Sequence, residues 1–281
     1  MQWFPTPINF TRWVLLLVVW GVVGNGSLHA ADAGDIEAIN TLGCSQFLVS
    51  GNSEYPPLLW RDRQDPNYLI GVVPALLQEI LATLSVEVSV RHMGSWARVQ
   101  QLARDGYLDM VAGAFMTEER LGYMDYIMPA IIQLPTAVWM ATDRTFPYEG
   151  WGDLIGKRGS TLINNSFGQA FDDYAREYLT VEGVRSIEQS FLMLQAGRVD
   201  YVLYELLQGQ VKLGLGGIQA NFVAQPQYVS SENLYFTFPK KSQCNSPEFR
   251  QAFTELMERK VLEGRVAALV EKYTARYIAG N

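Results

Sequence analysis

The stretch Gly106–Arg120, GYLDMVAGAFMTEER, constrains the fold of this chain more than any other. It begins in a polar turn and continues into the apolar run Leu108–Phe115, which has the length of a strand and is bounded by turn residues. Such a run is typical of a buried parallel strand. Thr117 then suits a helix N-cap, and Glu118 and Glu119 suit the first helical turn, where the helix dipole favours acids. The sequence therefore predicts a strand followed at its carboxyl end by a short helix.

Arg120 falls at the carboxyl end of this predicted strand. In open α/β sheets, ligands bind at that edge. An arginine there is suited to a carboxylate, because its guanidinium can donate two parallel hydrogen bonds. The alternative is an ordinary exposed arginine on a helix, and this stretch alone favours the alternative. The rest of the chain has to decide between the two.

An export signal is predicted at the N-terminus. The apolar run Trp13–Val23 follows a single basic residue, Arg12, and precedes a segment of small residues at 30–33. This run is too short to span a bilayer comfortably, and it is typical of a secretory signal that is cleaved. We assign residues 1–31 to this signal and expect a periplasmic protein. The alternative is an uncleaved membrane anchor.

Composition narrows the classes of function. The chain has 281 residues, of which 48% are hydrophobic and 18% charged, which is enough for one large or two medium domains. Its net charge of −7 argues against nucleic acid as a partner. Beyond residue 31 it has one histidine, His92, which excludes a His-rich metal site and leaves little room for a nucleophile–base pair. We therefore expect neither a metal nor a cofactor, and not an enzyme.

Several motifs, taken in order, resemble one known family. Gly106–Asp109 fits G-x-x-D, Thr117–Arg120 fits T-x-x-R, and Tyr126–Pro129 fits Y/F-x-x-P. Asp153–Lys157 fits D-L-x-G-K. The segment Gly197–Glu205 fits G-R-x-D followed by an apolar strand that ends in an acid. Together they resemble the periplasmic solute-binding proteins of the polar amino-acid type, extracellular family 3. The resemblance implies an α/β fold of two lobes, each an open mixed or parallel sheet flanked by helices, which is the type II periplasmic binding protein fold.

The resemblance also implies two hinge crossings between the lobes. Thr136–Ala141 has the pattern of a strand that leaves the first lobe, and Tyr228–Phe238 that of a strand that returns to it. We place the first lobe at residues 40–138 and 238–281, and the second lobe at 139–237. Two closing helices are expected near the C-terminus.

The family's ligand contacts can be carried over to this chain residue by residue. The arginine of T-x-x-R, here Arg120, would hold the ligand's carboxylate, and Glu205 would bind its ammonium group. The remaining predicted contacts are the assisting positions Gly113, Phe115 and Thr117, the loop residues Asn164, Asn165, Ser166, Phe167 and Gly168, and Tyr55, which with Phe167 would bound the ligand's side chain.

Three of these assignments have alternatives, and one departs from the family. Tyr55 could pack beneath its loop, 164–168 could be a capping loop without a ligand, and Glu205 could pair with a Lys or Arg of the protein. Phe115 stands where many members have Ser or Thr, so it removes a polar contact and narrows the pocket, or it faces a less polar ligand. A plain polar amino acid such as glutamine or histidine is therefore a poor fit.

The resemblance implies a monomer that captures a small zwitterionic or carboxylate-bearing ligand, such as an amino acid or a derivative, and delivers it to an ABC permease. Two alternatives remain. One is a periplasmic enzyme of the cyclohexadienyl dehydratase type on the same scaffold, with Glu205 as general acid. The other is a sensing module that presents its ligand to a membrane receptor.

A disulfide between Cys44 and Cys244 is predicted from the compartment. An exported chain enters an oxidising environment, where a lone pair of cysteines tends to form a bridge. Both residues belong to the first lobe in our assignment, so the bridge would not cross the hinge. The alternative is two unrelated buried thiols.

Overall fold

The fold is described from a computed structural model, which describes Cys44 and residues 46–280. The predicted signal at 1–31 lies outside these residues. The strands are β1 (Gln46–Ser50), β2 (Glu54–Tyr55), β3 (Leu59–Arg61), β4 (Leu69–Ile70), β5 (Glu87–Val90), β6 (Met110–Phe115), β7 (Met124–Tyr126), β8 (Ile132–Ala141), β9 (Arg158–Leu162), β10 (Thr180–Val184), β11 (Tyr201–Glu205) and β12 (Phe222–Pro239). The helices are α1 (Val72–Thr83), α2 (Trp96–Asp105), α3 (Glu118–Leu121), α4 (Gln169–Tyr178), α5 (Ile187–Gln195), α6 (Leu206–Leu215), α7 (Pro247–Leu262) and α8 (Arg265–Ile278).

One mixed sheet runs through both lobes in the order β10-β9-β11-β8-β12-β6-β1-β5, with β7 added beside β12. Strands β1, β5 and β6 are parallel in the first lobe, and β9, β10 and β11 are parallel in the second. The predicted two-lobed α/β fold is thus confirmed. Strands β2, β3 and β4 form a separate small antiparallel sheet that the sequence analysis did not predict.

The two hinge strands, β8 and β12, lie side by side. They pair antiparallel from Leu234 opposite Ile132 to Phe222 opposite Ala141. The register shifts between Ala224 and Tyr228 and again just after Tyr228, so the ladder is interrupted there. Our residue boundaries for the lobes stay a prediction.

Helices α1 and α2 both pack against β6, the strand whose carboxyl end leads to Arg120. In α1, Val73, Leu76 and Leu77 are fully buried on the face that packs into the first lobe's core. Helix α2 is capped at its start by Ser95, whose hydroxyl accepts from the backbone N–H of Arg98, and at its end by Gly106. Gly106 has φ +82°, a left-handed conformation that glycine adopts without strain. The chain turns there into β6, as the sequence predicted.

Helix α6, which the sequence analysis missed, packs closely on the hinge strand β8. A Cβ on Gly209 would lie 2.3 Å from the ring of Trp139, so only glycine permits this approach. The Trp139 indole also donates to the carbonyl of Tyr204 at 3.1 Å. The second lobe is therefore fixed to the hinge by both packing and a hydrogen bond.

The predicted disulfide is confirmed. Cys44 and Cys244 are bonded, with their Cα atoms 5.4 Å apart, and both are buried. The bridge joins the start of β1 to the loop before α7. Among the helices of residues 46–280, none combines the length and the apolar character needed to cross a membrane.

Candidate functional site

Arg120 lies in the single helical turn α3 that follows β6. Thr117 caps this turn, since its hydroxyl accepts from the backbone N–H of Arg120 at 3.2 Å. The predicted strand and capped helix are therefore present. The Arg120 side chain is directed inward, and the residue is only 4% exposed. The alternative of an exposed helix arginine is thus wrong.

The guanidinium of Arg120 is held by neutral groups. Its Nη1 donates to the carbonyl of Phe115 at 3.0 Å and its Nε donates to Gln100 Oε1 at 3.3 Å. The guanidinium also lies over the ring of Trp96, 5.3 Å from the centroid. Within residues 46–280, no carboxylate oxygen lies within 4.0 Å of it. A buried cation without a counter-ion is costly, so this arrangement suits an anion from outside the protein.

A cavity of about 750 Å³ opens between the lobes at this arginine. The first lobe contributes Arg120, Thr117 and Gln100 to its walls. The second lobe contributes the loop Asn164–Phe167, which follows β9, and one side of α4. The predicted carboxylate-binding arginine and the predicted cradle loop therefore face the same space.

A second, much smaller cavity of about 20 Å³ adjoins the first. Arg120 and Asn165 line both cavities, and Tyr55, Gly113 and Phe115 line only the small one. The rings of Tyr55 and Phe115 meet edge-on, with centroids 6.5 Å apart. The remaining space is about that of one water molecule. Phe115 and Tyr55 thus both line this small space.

The loop that follows β9 is held by Asp172 of α4. The hydroxyl of Ser166 donates to one carboxylate oxygen of Asp172, and the backbone N–H of Phe167 donates to the other at 2.9 Å. Gly168 begins α4 with φ +92°, and a Cβ there would lie 2.2 Å from Glu232 Oε1. Gly168 supports the loop but lines neither cavity.

Glu205 ends β11 and is fully buried. Neither of its carboxylate oxygens accepts a hydrogen bond from residues 46–280, and no Lys or Arg of this segment lies within 4.0 Å. Burial raises the pKa of Glu205 to about 7, although Tyr55 and Asn165 are close enough to oppose that rise. The ion pair with a protein Lys or Arg, which the sequence left open, is not formed with these residues.

The two lobes touch on both sides of the cavities. Gln100 Nε2 donates to the carbonyl of Asn164 at 3.2 Å, and the backbone N–H of Glu118 donates to Gln169 Oε1 at 3.2 Å. On the other side, Lys212 pairs with Glu54 at 2.9 Å. These contacts all join the first lobe to the second, so the structure shows the lobes closed on each other.

Most of the predicted site residues come together here, and two do not. Glu205 and Gly168 line neither cavity, and Glu205 lies close to Asn165 and Tyr55. Sequence reasoning missed Gln100 and Asp172, because a helical glutamine or aspartate is usually a solvated residue and neither belongs to a recognisable motif. Trp96 is buried and lies beneath the guanidinium of Arg120.

The structure is similar to several solved structures. One is the P235GK mutant of ArgBP from T. maritima, with a TM-score of 0.70 and 18% identity over 86% of this chain and 99% of that chain. A second is the ABC transporter substrate-binding protein AbpA from Streptococcus pneumoniae bound to L-arginine, with a TM-score of 0.71 and 17% identity over 86% and 99%. A third is a histidine kinase sensor domain with similarity to periplasmic binding proteins, with a TM-score of 0.68 and 18% identity over 81% and 95%.

At these identities the similarities show the fold alone. No curated protein matches the chain. The sequence itself matches a family over residues 48–276, which is most of its length. This match includes T-x-x-R, the loop after β9 and the segment that ends at Glu205, so it spans the whole candidate site. The chain belongs to the bacterial extracellular solute-binding proteins, family 3.

Proposed function

We propose that this protein is exported to the periplasm, where it binds a small carboxylate-bearing solute, an amino acid or a derivative, between its lobes and delivers it to an ABC permease. One observation carries the proposal. The guanidinium of Arg120 is buried at an interlobe cavity and has no carboxylate partner within the described part of the chain. A ligand carboxylate would supply the missing charge through two parallel hydrogen bonds.

Contacts from both lobes would couple binding to closure. Arg120 and Thr117 belong to the first lobe, and Asn164, Asn165 and Ser166 to the second. A ligand that touches both sets stabilises the closed form over the open form by its differential affinity. A permease that recognises the closed form would then distinguish loaded protein from empty protein.

In this proposal the ligand's α-ammonium group is directed towards Glu205. Tyr55 and Asn165, which face Glu205 from the two lobes, would separate to admit it. An ammonium group would compensate the buried carboxylate, which no residue of 46–280 does. Phe167 would bound the ligand in the larger cavity.

The test is calorimetry on ligands selected by a thermal-shift screen of amino acids and small organic acids. Saturating ligand at about a hundred times Kd adds roughly 2.7 kcal/mol of stability. Arg120→Ala should lower the affinity at least roughly thirtyfold, since truncating one side of a desolvated charge pair costs about 2–5 kcal/mol.

Arg104→Ala is the matched control. Arg104 lines the same cavity, but it is partly exposed and already pairs with Glu119. Its replacement should change the affinity by less than about fivefold. Equal losses in Arg104→Ala and Arg120→Ala would contradict the assignment of the carboxylate to Arg120.

A sensing role is the second candidate, and the similarity to a histidine kinase sensor domain favours it. The site would work in the same way, and the loaded form would be read by a receptor. Adding loaded protein to a reconstituted permease distinguishes the two roles. Stimulated ATP hydrolysis supports delivery, and its absence together with stimulation of a receptor kinase supports sensing.

A dehydratase of the cyclohexadienyl type is the third candidate. The observation in its favour is Glu205, a buried carboxyl group whose pKa burial raises to about 7, which suits a general acid. Incubation with prephenate or arogenate, followed by chromatography, tests it. Product formation that Glu205→Gln abolishes would replace binding by catalysis as the main function.

A further inference from the structure

Gln100 of α2 joins the guanidinium of Arg120 to the opposite lobe. Its side chain is buried, with 3% of the residue exposed, and it lies in the wall of the larger cavity. Its Oε1 accepts from Arg120 Nε and from the hydroxyl of Tyr123, each at 3.3 Å. Its Nε2 donates to the carbonyl of Asn164 at 3.2 Å. One amide therefore contacts the predicted carboxylate-binding group on one side and the second lobe on the other.

These hydrogen bonds fix which way the amide faces. An amide has one end that accepts and one end that donates. The accepting end meets two donors, Arg120 and Tyr123, and the donating end meets the carbonyl of Asn164. The reverse orientation would place the NH2 group against the guanidinium and the amide oxygen against that carbonyl, which would leave buried polar groups without partners. Gln100 thus has one favourable orientation while the lobes are closed.

The same contacts set the orientation of the guanidinium. One of its N–H groups is held by Gln100 and another by the carbonyl of Phe115, which also accepts from the hydroxyl of Tyr126 at 2.8 Å. The remaining N–H groups, which include both on Nη2, have no hydrogen-bond partner in residues 46–280. A guanidinium held by its other edge in this way is prepared to donate two parallel hydrogen bonds to a carboxylate.

The acids in the cavity wall do not take over this function. Glu119 pairs with Arg104, Glu118 is exposed, and Asp172 is held by hydrogen bonds within its own lobe. In the part of the chain that the structure describes, none of these acids lies within 4.0 Å of a nitrogen of Arg120. The one side chain among residues 46–280 that hydrogen-bonds to this guanidinium is therefore a neutral amide, which orients the cation without compensating its charge.

We propose that Gln100 is a positioning residue that couples the binding of a carboxylate at Arg120 to the closure of the lobes. The inference rests on the proposed function, in which Arg120 binds the ligand's carboxylate. Opening of the lobes withdraws Asn164, so the amide loses its partner in the second lobe and holds the guanidinium less firmly. Closure restores that hydrogen bond and fixes the amide and the guanidinium together. A carboxylate on Arg120 and a closed cleft thus stabilise each other.

Two variants divide the contributions of Gln100. Gln100→Glu keeps the shape and an acceptor for Arg120, but it offers no donor to the carbonyl of Asn164, and its charge competes with a ligand carboxylate for the guanidinium. Gln100→Met removes both hydrogen bonds and adds no charge. If Gln100 only fills space, Gln100→Glu is the milder change because its side chain has nearly the same shape. The proposal predicts the reverse order of the two variants.

Binding is measured at pH 8 with the twenty common L-amino acids and acetate as probes. The probe that raises the melting temperature of the wild type most is then used for calorimetry and stopped-flow kinetics. Gln100→Met should weaken its binding about tenfold, as expected for the loss of a hydrogen bond to a charged group. Gln100→Glu should weaken it at least about tenfold more. Because the bond to Asn164 forms only on closure, most of each loss should appear as faster dissociation.

A measurement without ligand tests the orientation of Arg120 directly. In proton–nitrogen NMR spectra, the Nε–H group that Gln100 holds should exchange with water at least about tenfold more slowly than that of the exposed Arg176. The resonance is assigned by its disappearance in Arg120→Lys. Gln100→Met should abolish the protection. Protection that survives in Gln100→Met overturns the inference, and this result decides the question even if none of the probes binds.

Gln101→Met is the matched control. Gln101 is the next residue on α2, is exposed, and donates to Asp105 of the same helix at 3.0 Å, so its replacement should change neither the affinity nor the Arg120 resonance. Equal losses in Gln101→Met and Gln100→Met would show that α2 is disturbed as a whole, and the positioning role would be wrong.

The remaining outcomes separate this inference from the proposed function. If Gln100→Glu binds the chosen probe as tightly as the wild type, or more tightly than Gln100→Met, the inference is wrong and the proposed function stands. If Arg120→Ala leaves the affinity for that probe unchanged, the proposed function is wrong.

Discussion

Lys212 of the second lobe and Glu54 of the first form an ion pair of 2.9 Å across the interlobe boundary. The lysine side chain is only 10% exposed, and it also contacts the carboxylate of Glu188. The hydroxyl of Tyr204 donates to the backbone carbonyl of Glu54 beside it. Glu54 directly precedes Tyr55, which lines the small cavity, so these contacts hold that part of the cavity wall.

Replacing Lys212 with Met should destabilise the closed form. The change leaves Glu54 and Glu188 without their shared cation. Breaking a buried ion pair costs about 3–5 kcal/mol of unfolding free energy, and we expect about 2 kcal/mol here because Glu188 is more than half exposed. Urea unfolding measures this loss. Arg158→Met is the control, since its pair with Asp200 is largely exposed and should contribute less than about 1 kcal/mol. Equal losses in the two variants would contradict the role of Lys212.

Glu205 should make the ligand-free protein less stable as the pH rises. Its pKa is about 7 in the folded protein, against an ordinary value of 4.5, because burial disfavours the charged form. Between these values the folded state binds more protons than the unfolded state, so stability is lost from about pH 4.5 to about pH 7 and is constant above. From pH 5 to pH 8 the loss should be roughly 2–3 kcal/mol.

Urea unfolding at pH 5 and pH 8 checks this, with Glu205→Gln as the reference. The Gln variant lacks the titrating group, so its stability should fall less over the same range. Identical pH dependence in the variant and the wild type would show that Glu205 titrates normally.

Gly168→Ala should disturb the loop that follows β9. The new Cβ would lie 2.2 Å from the Glu232 carboxylate, and the backbone has a positive φ that alanine adopts only with strain. We expect a loss of about 1–3 kcal/mol of unfolding free energy together with weaker ligand binding. Gly152→Ala is the control, because its Cβ would meet nothing within 4 Å and its φ needs no glycine. A Gly168→Ala protein as stable as Gly152→Ala would contradict this account.

Reducing the bond between Cys44 and Cys244 should lower stability but not ligand affinity. The bridge spans 200 residues, for which the chain-entropy model gives an upper value of about 5 kcal/mol. In our lobe assignment both ends lie in the first lobe, so we expect that closure does not strain the bridge. The measurement is urea unfolding and calorimetry of the Cys44→Ser/Cys244→Ser variant against the wild type. Affinity that falls more than about tenfold in the folded variant would show that the bridge shapes the site.

Local patterns predicted the elements that carry the site. A strand-length apolar run bounded by turns predicted β6, and Thr117 followed by two acids predicted α3. Both predictions were possible because these elements depend on residues that are neighbours in sequence. The position of Glu205 could not be obtained in this way. Its place outside both cavities depends on long-range packing around it, which includes Tyr55 and Asn165 from different lobes.

The contacts that orient Arg120 could not be predicted from the sequence either. Gln100 lies twenty residues away on α2, and it reaches both the guanidinium and the opposite lobe. A motif search finds residues at fixed spacing, whereas this contact depends on how α2 packs against β6. The same holds for Asp172, whose place in the cavity wall follows from the turn at Gly168 and not from a pattern in α4.

The long ladder between β8 and β12 couples the two crossings that join the lobes. Because the two crossings are bonded to each other, they act as one ribbon and not as two independent linkers. A ribbon of this kind resists sliding of its strands and yields mainly by bending and twisting. The pairing of this ribbon is irregular at the register shifts on either side of Tyr228. We therefore expect the lobes to open by bending and twisting of the ribbon, and not by sliding of one crossing along the other.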